Sequence, residues 1–204
     1  LDTLYRGAPL SALVGVVDKT AIALLLGPEA VGLYTVAGLV IVAISGIVAP
    51  LGTVYYNQAN RVLGQTGDPR ALLPVYWRFM AMVLGLGILL LCAIYAALPY
   101  MVANYMPRYA AGLAAGRIAC LAGVGQCLLG SVFFYYTLRQ NLRFTLYGAV
   151  FLALFVVLVM RLPPGGQTIE NIAWLRAGVF VVFGIVCNVN LWWLLRRKSW
   201  QPGT

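Results

Sequence analysis

Apolar runs of about 20 residues recur along this chain, separated by short turns rich in Gly, Pro and Arg. As a helix, a run of that length crosses the hydrocarbon core of a bilayer, about 30 Å thick. Inside lipid every backbone N–H and C=O must find its partner within the protein, which leaves helices or a closed barrel. A barrel needs short alternating segments, and these runs are too long and too uniformly apolar for that. Composition agrees: only 9% of the residues are charged and mean hydropathy is +0.90, where soluble chains are about a quarter charged. The expectation is an all-α integral membrane protein, a bundle of about six transmembrane helices forming a single domain over residues 1–204.

The spans are expected at about 8–26, 29–55, 72–98, 108–138, 144–160 and 172–195. Gly27-Pro28 separates the first two, and Glu29 then suits the positive end of the second helix. Pro50 is expected to kink that helix, because proline removes one backbone hydrogen bond and crowds the preceding turn. Polar residues from Asn57 to Arg70 read as a connection, with Asp68 as N-cap and Pro69 at the first position of the next helix. Pro99 opens a short connection to Pro107. Arg139 to Arg143 make a basic turn, and Pro163-Pro164-Gly165-Gly166 make another. Only 17 residues separate Arg143 from Arg161, so both arginines are expected to snorkel outward. Trp192, Trp193 and Trp200 read as interfacial anchors.

The net charge of +9 resembles a nucleic-acid signal, but in a membrane chain it arises from topology. With both termini cytoplasmic, the inner side holds Arg6, Arg61, Arg70, Arg78, Arg139, Arg143, Arg196, Arg197 and Lys198. The outer side holds Arg108, Arg161 and Arg176. Nine against three fixes the expected orientation. There is no histidine, which removes the commonest general base and metal ligand. Cys92, Cys120, Cys127 and Cys187 all fall within apolar runs and read as packing residues. The chain starts at Leu1 with no signal-peptide pattern, as a piece of a longer protein would.

Charges inside the runs need a reason, since each costs roughly 2.5–3.5 kcal/mol at the bilayer centre. On a helical wheel Ala8, Ser11, Ala12, Asp18 and Lys19 lie within about 60° of Gly15, while Leu10, Leu13, Val17 and Leu24 lie opposite. Asp18 and Lys19 are therefore expected to face protein or a water-filled cavity, each with some partner other than its neighbour. Arg117 is expected to face inward beside a stripe of small residues: Gly112, Gly116, Cys120, Gly123, Cys127 and Gly130. That stripe reads as a close-packed helix seam. Gln126, Asn188 and Asn190 read as interhelical hydrogen-bonding groups, and Arg176 as a residue that snorkels. A cavity carrying Lys19 and Arg117 would attract a phosphate.

Asp18-Lys19, then Leu26-Gly27-Pro28-Glu29-Ala30-Val31-Gly32-Leu33-Tyr34 and Ala37, resembles the repeat-opening signature of polysaccharide-biosynthesis flippases. These are O-antigen-type transporters of the multidrug/oligosaccharidyl-lipid/polysaccharide exporter superfamily. Gly7-Ala8-Pro9 is similar to the entry to the first helix of a half in that family. Met106-Pro107-Arg108-Tyr109-Ala110-Ala111-Gly112 with Arg117-Ile118 is similar to its outer turn and adjoining helix. The resemblance runs from Gly7 to about Leu142. It implies the C-terminal half of a two-lobed flippase whose other partner is an N-terminal six-helix half. It further implies, in a bacterial inner membrane, alternating-access transfer of a polyprenyl-diphosphate-linked oligosaccharide to the outer leaflet, without catalysis or cofactor. Lys19 and Arg117 would then hold the anionic head group and Asp18 would couple an ion or proton. Other readings are a lipid II or drug exporter of the same superfamily, or a membrane-embedded glycan polymerase or transferase. The last is poorly supplied, with five scattered carboxylates and no histidine.

Overall fold

The computed structural model describes residues 8–196, with side chains from residue 16 onward apart from that of Pro164. Arg6, Gly7, Arg197, Lys198 and Trp200 lie outside the described residues. The chain is an all-α membrane bundle, with no strand among the described residues. Helix α1 spans Ala8–Leu26, α2 Pro28–Thr66, α3 Leu73–Tyr105, α4 Leu113–Leu129, α5 Val132–Thr137, α6 Asn141–Met160 and α7 Ile169–Arg196. Segments Pro28–Thr66, Pro69–Tyr105, Pro107–Thr137, Asn141–Met160 and Ile169–Arg196 are each long and apolar enough to cross a membrane. With the 19-residue α1, the bundle has five to six spans.

Local chemistry sets the ends of the helices. Gly27, at φ 88°, reverses the chain where a Cβ would be strained, and Pro28 starts α2. Gly67, at φ 65°, closes α2 by donating its N–H to the Leu63 carbonyl at 2.8 Å. Asp68 then caps the short 3₁₀ turn Pro69–Leu72, its Oδ1 accepting from the Arg70 N–H at 2.9 Å, as its position before Pro69 predicts.

Two expected connections are helix instead. Pro99 lies inside α3, which continues to Tyr105, and Pro50 lies inside α2, which continues to Thr66. The polar stretch after Tyr56 is helix up to Thr66, not a connection. Its pattern explains this: Asn57, Gln58, Asn60 and Arg61 are exposed while Ala59 and Leu63 are buried, as on an amphipathic helix. At 39 residues α2 is about 58 Å long and projects well past a bilayer.

Helix α4 is the central element. It packs against α2, α3 and α7, while α1 packs against α2, α6 and α7. The small-residue stripe on α4 is the seam that the sequence predicts. A Cβ on Gly116 would stand 2.8 Å from Val36 Cγ1 and 2.9 Å from Leu98 Cδ2; one on Gly123 would stand 2.6 Å from Leu91 Cδ2. So the stripe faces α2 and α3. A second seam, on Gly125 and Gly184, brings α4 against α7. There a Cβ on Gly125 would lie 2.9 Å from the Phe180 carbonyl carbon and the Val181 nitrogen.

On α7, Trp174 and Trp193 are both about half exposed and stand 19 residues apart, about 28 Å along the axis. That spacing matches the hydrocarbon core and marks its two edges. The edge near Trp193 carries Arg61, Arg70, Arg78, Arg139, Arg143 and Arg196, on the side of the Gly67 turn. The edge near Trp174, on the side of Gly27, carries Arg108 and Arg161 with Glu29 and Glu170.

Candidate functional site

Three helices meet near the Trp174 edge, and each brings a polar side chain. Asp18 lies eight residues before the end of α1, Tyr34 six residues into α2, and Arg176 seven residues into α7. At 1.5 Å per residue, all three lie about 9–12 Å from the turns on that side. Matching depth on converging helices is what lets them touch.

Asp18 is 2% exposed and Arg176 7%. The Arg176 guanidinium forms an ion pair with Asp18 Oδ2, and its Nη1 donates to the Tyr34 hydroxyl at 3.1 Å. Its Cζ also lies 5.3 Å from the centre of the Phe180 ring. Asp18 Oδ1 has no hydrogen-bond donor among the described residues. Charge neutralisation by Arg176, rather than by Lys19 beside it, is therefore what makes Asp18 tolerable in the interior.

The expected snorkelling of Arg176 is thus corrected. It lies close to the membrane edge, but Asp18 and Tyr34 draw it into the protein instead of toward water. Sequence reasoning missed it and Tyr34 as partners. The signal was there: Asp18 required a cation, and Arg176 stands at a matching distance from an outer turn.

Lys19, one residue and 100° further around α1, is exposed, and no acidic group pairs with it among the described residues. It shares the exposed face of α1 with Val16, Thr20 and Ala23. Arg117 is exposed too, with its guanidinium 5.4 Å from the centre of the Tyr95 ring on α3. The inward orientation expected for it does not occur, because the glycine seam already fills the inner side of α4. Nor is Arg117 deep. Gly125 packs at the level of Phe180 and Val181, and the two helices run in the same direction. Counting eight residues back from Gly125 puts Arg117 close to the level of Trp174. Lys19 and Arg117 stand on helices with different neighbours: α1 packs against α2, α6 and α7, and α4 against α2, α3 and α7.

The other polar groups form a separate network toward the Trp193 edge. Tyr76 donates to Asn188 Oδ1 at 2.7 Å, and Asn188 Nδ2 donates to the Gly184 and Leu128 carbonyls at 2.7 and 2.9 Å. The Tyr135 hydroxyl meets the Cys187 carbonyl at 2.7 Å and Asn190 Oδ1 at 3.1 Å. These tie α3, α4 and α5 to α7, the packing role that the sequence assigns to Asn188 and Asn190. The four cysteines are free, three of them buried in helix contacts. No family model, curated protein or solved structure matches the chain.

Proposed function

We propose that this chain is the C-terminal half of a flippase that moves a polyprenyl-diphosphate-linked oligosaccharide from the inner to the outer leaflet of a bacterial inner membrane, with both termini cytoplasmic. The observation that carries this reading is Lys19: an exposed ammonium on a membrane helix, without an acidic partner among the described residues, beside an Asp18 that is already neutralised. An unpaired cation on that face fits a diphosphate as its partner. The exposed face of α1 and α2, which also carries Thr20 and Thr35, then forms one wall of the path, and a second six-helix half forms the other. The sugars ride in the aqueous space between them while the polyprenyl tail stays in lipid. Arg117 stands at a similar level, near Trp174, but on α4 beside Tyr95 rather than on this face of α1. Asp18 takes a proton or cation only in a state in which Arg176 has left it. The arginine-rich edge supports the orientation.

The test is glycan export in cells carrying the complete transporter, at matched protein level. Lys19→Ala lowers export at least tenfold and Lys19→Arg retains most of it. Unchanged export in Lys19→Ala would remove the path along α1.

A further inference from the structure

The exposed seam between α6 and α7 has no part in the transport path along α1. Its half nearest the arginine-rich edge is an open groove of about 430 Å³, lined by Tyr147, Ile185, Val186, Val189, Asn190, Trp192 and Trp193. From Ile185 to Arg196 is 11 residues, about 16 Å, the depth of one leaflet's hydrocarbon. The walls are apolar, and Ile185 and Val189 are at least half exposed. The polar groups among them are the Tyr147 hydroxyl, the tryptophan indole N–H groups and the Asn190 amide. Asn190 touches the Tyr135 hydroxyl at 3.1 Å, whose proton goes to the nearer Cys187 carbonyl at 2.7 Å, and the remaining atom of its amide is open to the groove.

The mouth of the groove is cationic. Arg196 lies with Cζ 3.8 Å from the centre of the Trp192 ring. Stacking occupies the face of a guanidinium and leaves its in-plane N–H donors for oxygen acceptors. Arg143 is exposed and precedes Tyr147 by one turn on α6, so it stands over the same opening. The positive end of α6 is here as well. The negative end of α7 is masked, since Arg70 Nε and Nη2 donate to the Arg196 carbonyl at 3.3 and 3.0 Å. The one carboxylate on these two helices, Glu170, is at the opposite end of α7.

We infer that this groove binds an anionic glycerophospholipid of the leaflet on the arginine-rich side. One acyl chain lies along Ile185, Val186 and Val189, and the phosphate sits between Arg143 and Arg196. Charge complementarity selects the lipid over a helix from another protein, which would have to bring a carboxylate to the same level.

The experiment is native mass spectrometry of the purified full chain in mixed micelles, with phosphatidylglycerol and phosphatidylcholine of identical acyl chains. Phosphatidylglycerol is retained at least fivefold over phosphatidylcholine. Arg143→Gln with Arg196→Gln brings the two to parity, Val189→Trp displaces both, and Arg139→Gln on the same side leaves the preference intact. Folding is not at stake in the Arg196 variant, since the carbonyl bonded by Arg70 is backbone. Equal retention by the unaltered chain overturns the site. So does loss of preference in Arg139→Gln, which would mean a general charge effect, or a lipid-free dimer closed over this seam.

Discussion

Breaking the Asp18–Arg176 pair from one side should cost far more than removing it whole. Asp18→Asn leaves a guanidinium 7% exposed, facing a neutral Tyr34 hydroxyl and the Phe180 ring. Arg176→Met leaves a carboxylate 2% exposed, with no hydrogen-bond donor on either oxygen. A buried charge stripped of its partner destabilises by about 3–5 kcal/mol. For a chain of 204 residues, each kcal/mol moves the melting midpoint by about 2–4 °C. Each single variant should therefore lose about 6–20 °C in a thermal scan of the detergent-solubilised protein, read as folded monomer by size-exclusion chromatography. The double variant Asp18→Leu with Arg176→Met carries no unpaired charge and should recover most of the loss. Single variants within a degree of the unaltered protein would refute the burial argument. A double variant as poor as the sum of the singles would refute the pairing.

The two other packing features give smaller effects of known sign. Gly125→Leu puts a side chain where a Cβ alone would lie 2.9 Å from the α7 backbone, so α4 and α7 must part. The thermal midpoint should fall by several degrees, while Gly178→Leu, on open surface, leaves it unchanged. Asn188→Leu removes hydrogen bonds to Tyr76, Leu128 and Gly184 and strands the hydroxyl of a buried tyrosine. The expected cost is about 1–2 kcal/mol in the same scan, since interhelical polar contacts in membranes are individually modest.

How much of the fold was legible in the sequence depended on the strength of each local signal. Gly27-Pro28 and Asp68-Pro69 end and start helices because backbone geometry leaves few alternatives, and both are where the pattern puts them. The α4 seam was readable because small residues recur on one helical face. Helix lengths were not: hydropathy marks where lipid ends, whereas the α2 helix ends where Gly67 adopts a left-handed turn, well beyond it. The placement of charges failed for a different reason. A wheel gives the angle of Arg117 on its own helix, but neither which neighbours cover that angle nor how the helices are offset along the membrane normal. The offset is set by Gly125 against Phe180, a contact between residues 55 apart in sequence. The same long-range register decides that Asp18 meets Arg176 and not Arg117.

Apolar replacement of a buried ion pair is often neutral or stabilising, so stability alone does not account for retaining this one. The pair joins the first described helix to the last, and among the described side chains of α1 Val17, Ala21, Ile22 and Leu26 add apolar contacts. Apolar contacts permit sliding by small steps; an ion pair in low dielectric is either made or broken. A helix whose outer face lines a transport path gains two discrete positions from such a latch. The variant Asp18→Leu with Arg176→Met separates the two roles, because it keeps the packing and removes the latch. If the pair is a switch, this variant should be as stable as the unaltered chain yet export glycan at least tenfold more slowly, and Asp18→Glu should export more than it does. Full export from the stable double variant would assign the pair to folding alone. Its removal would then leave Lys19 as the one charge on α1 with a part in transport.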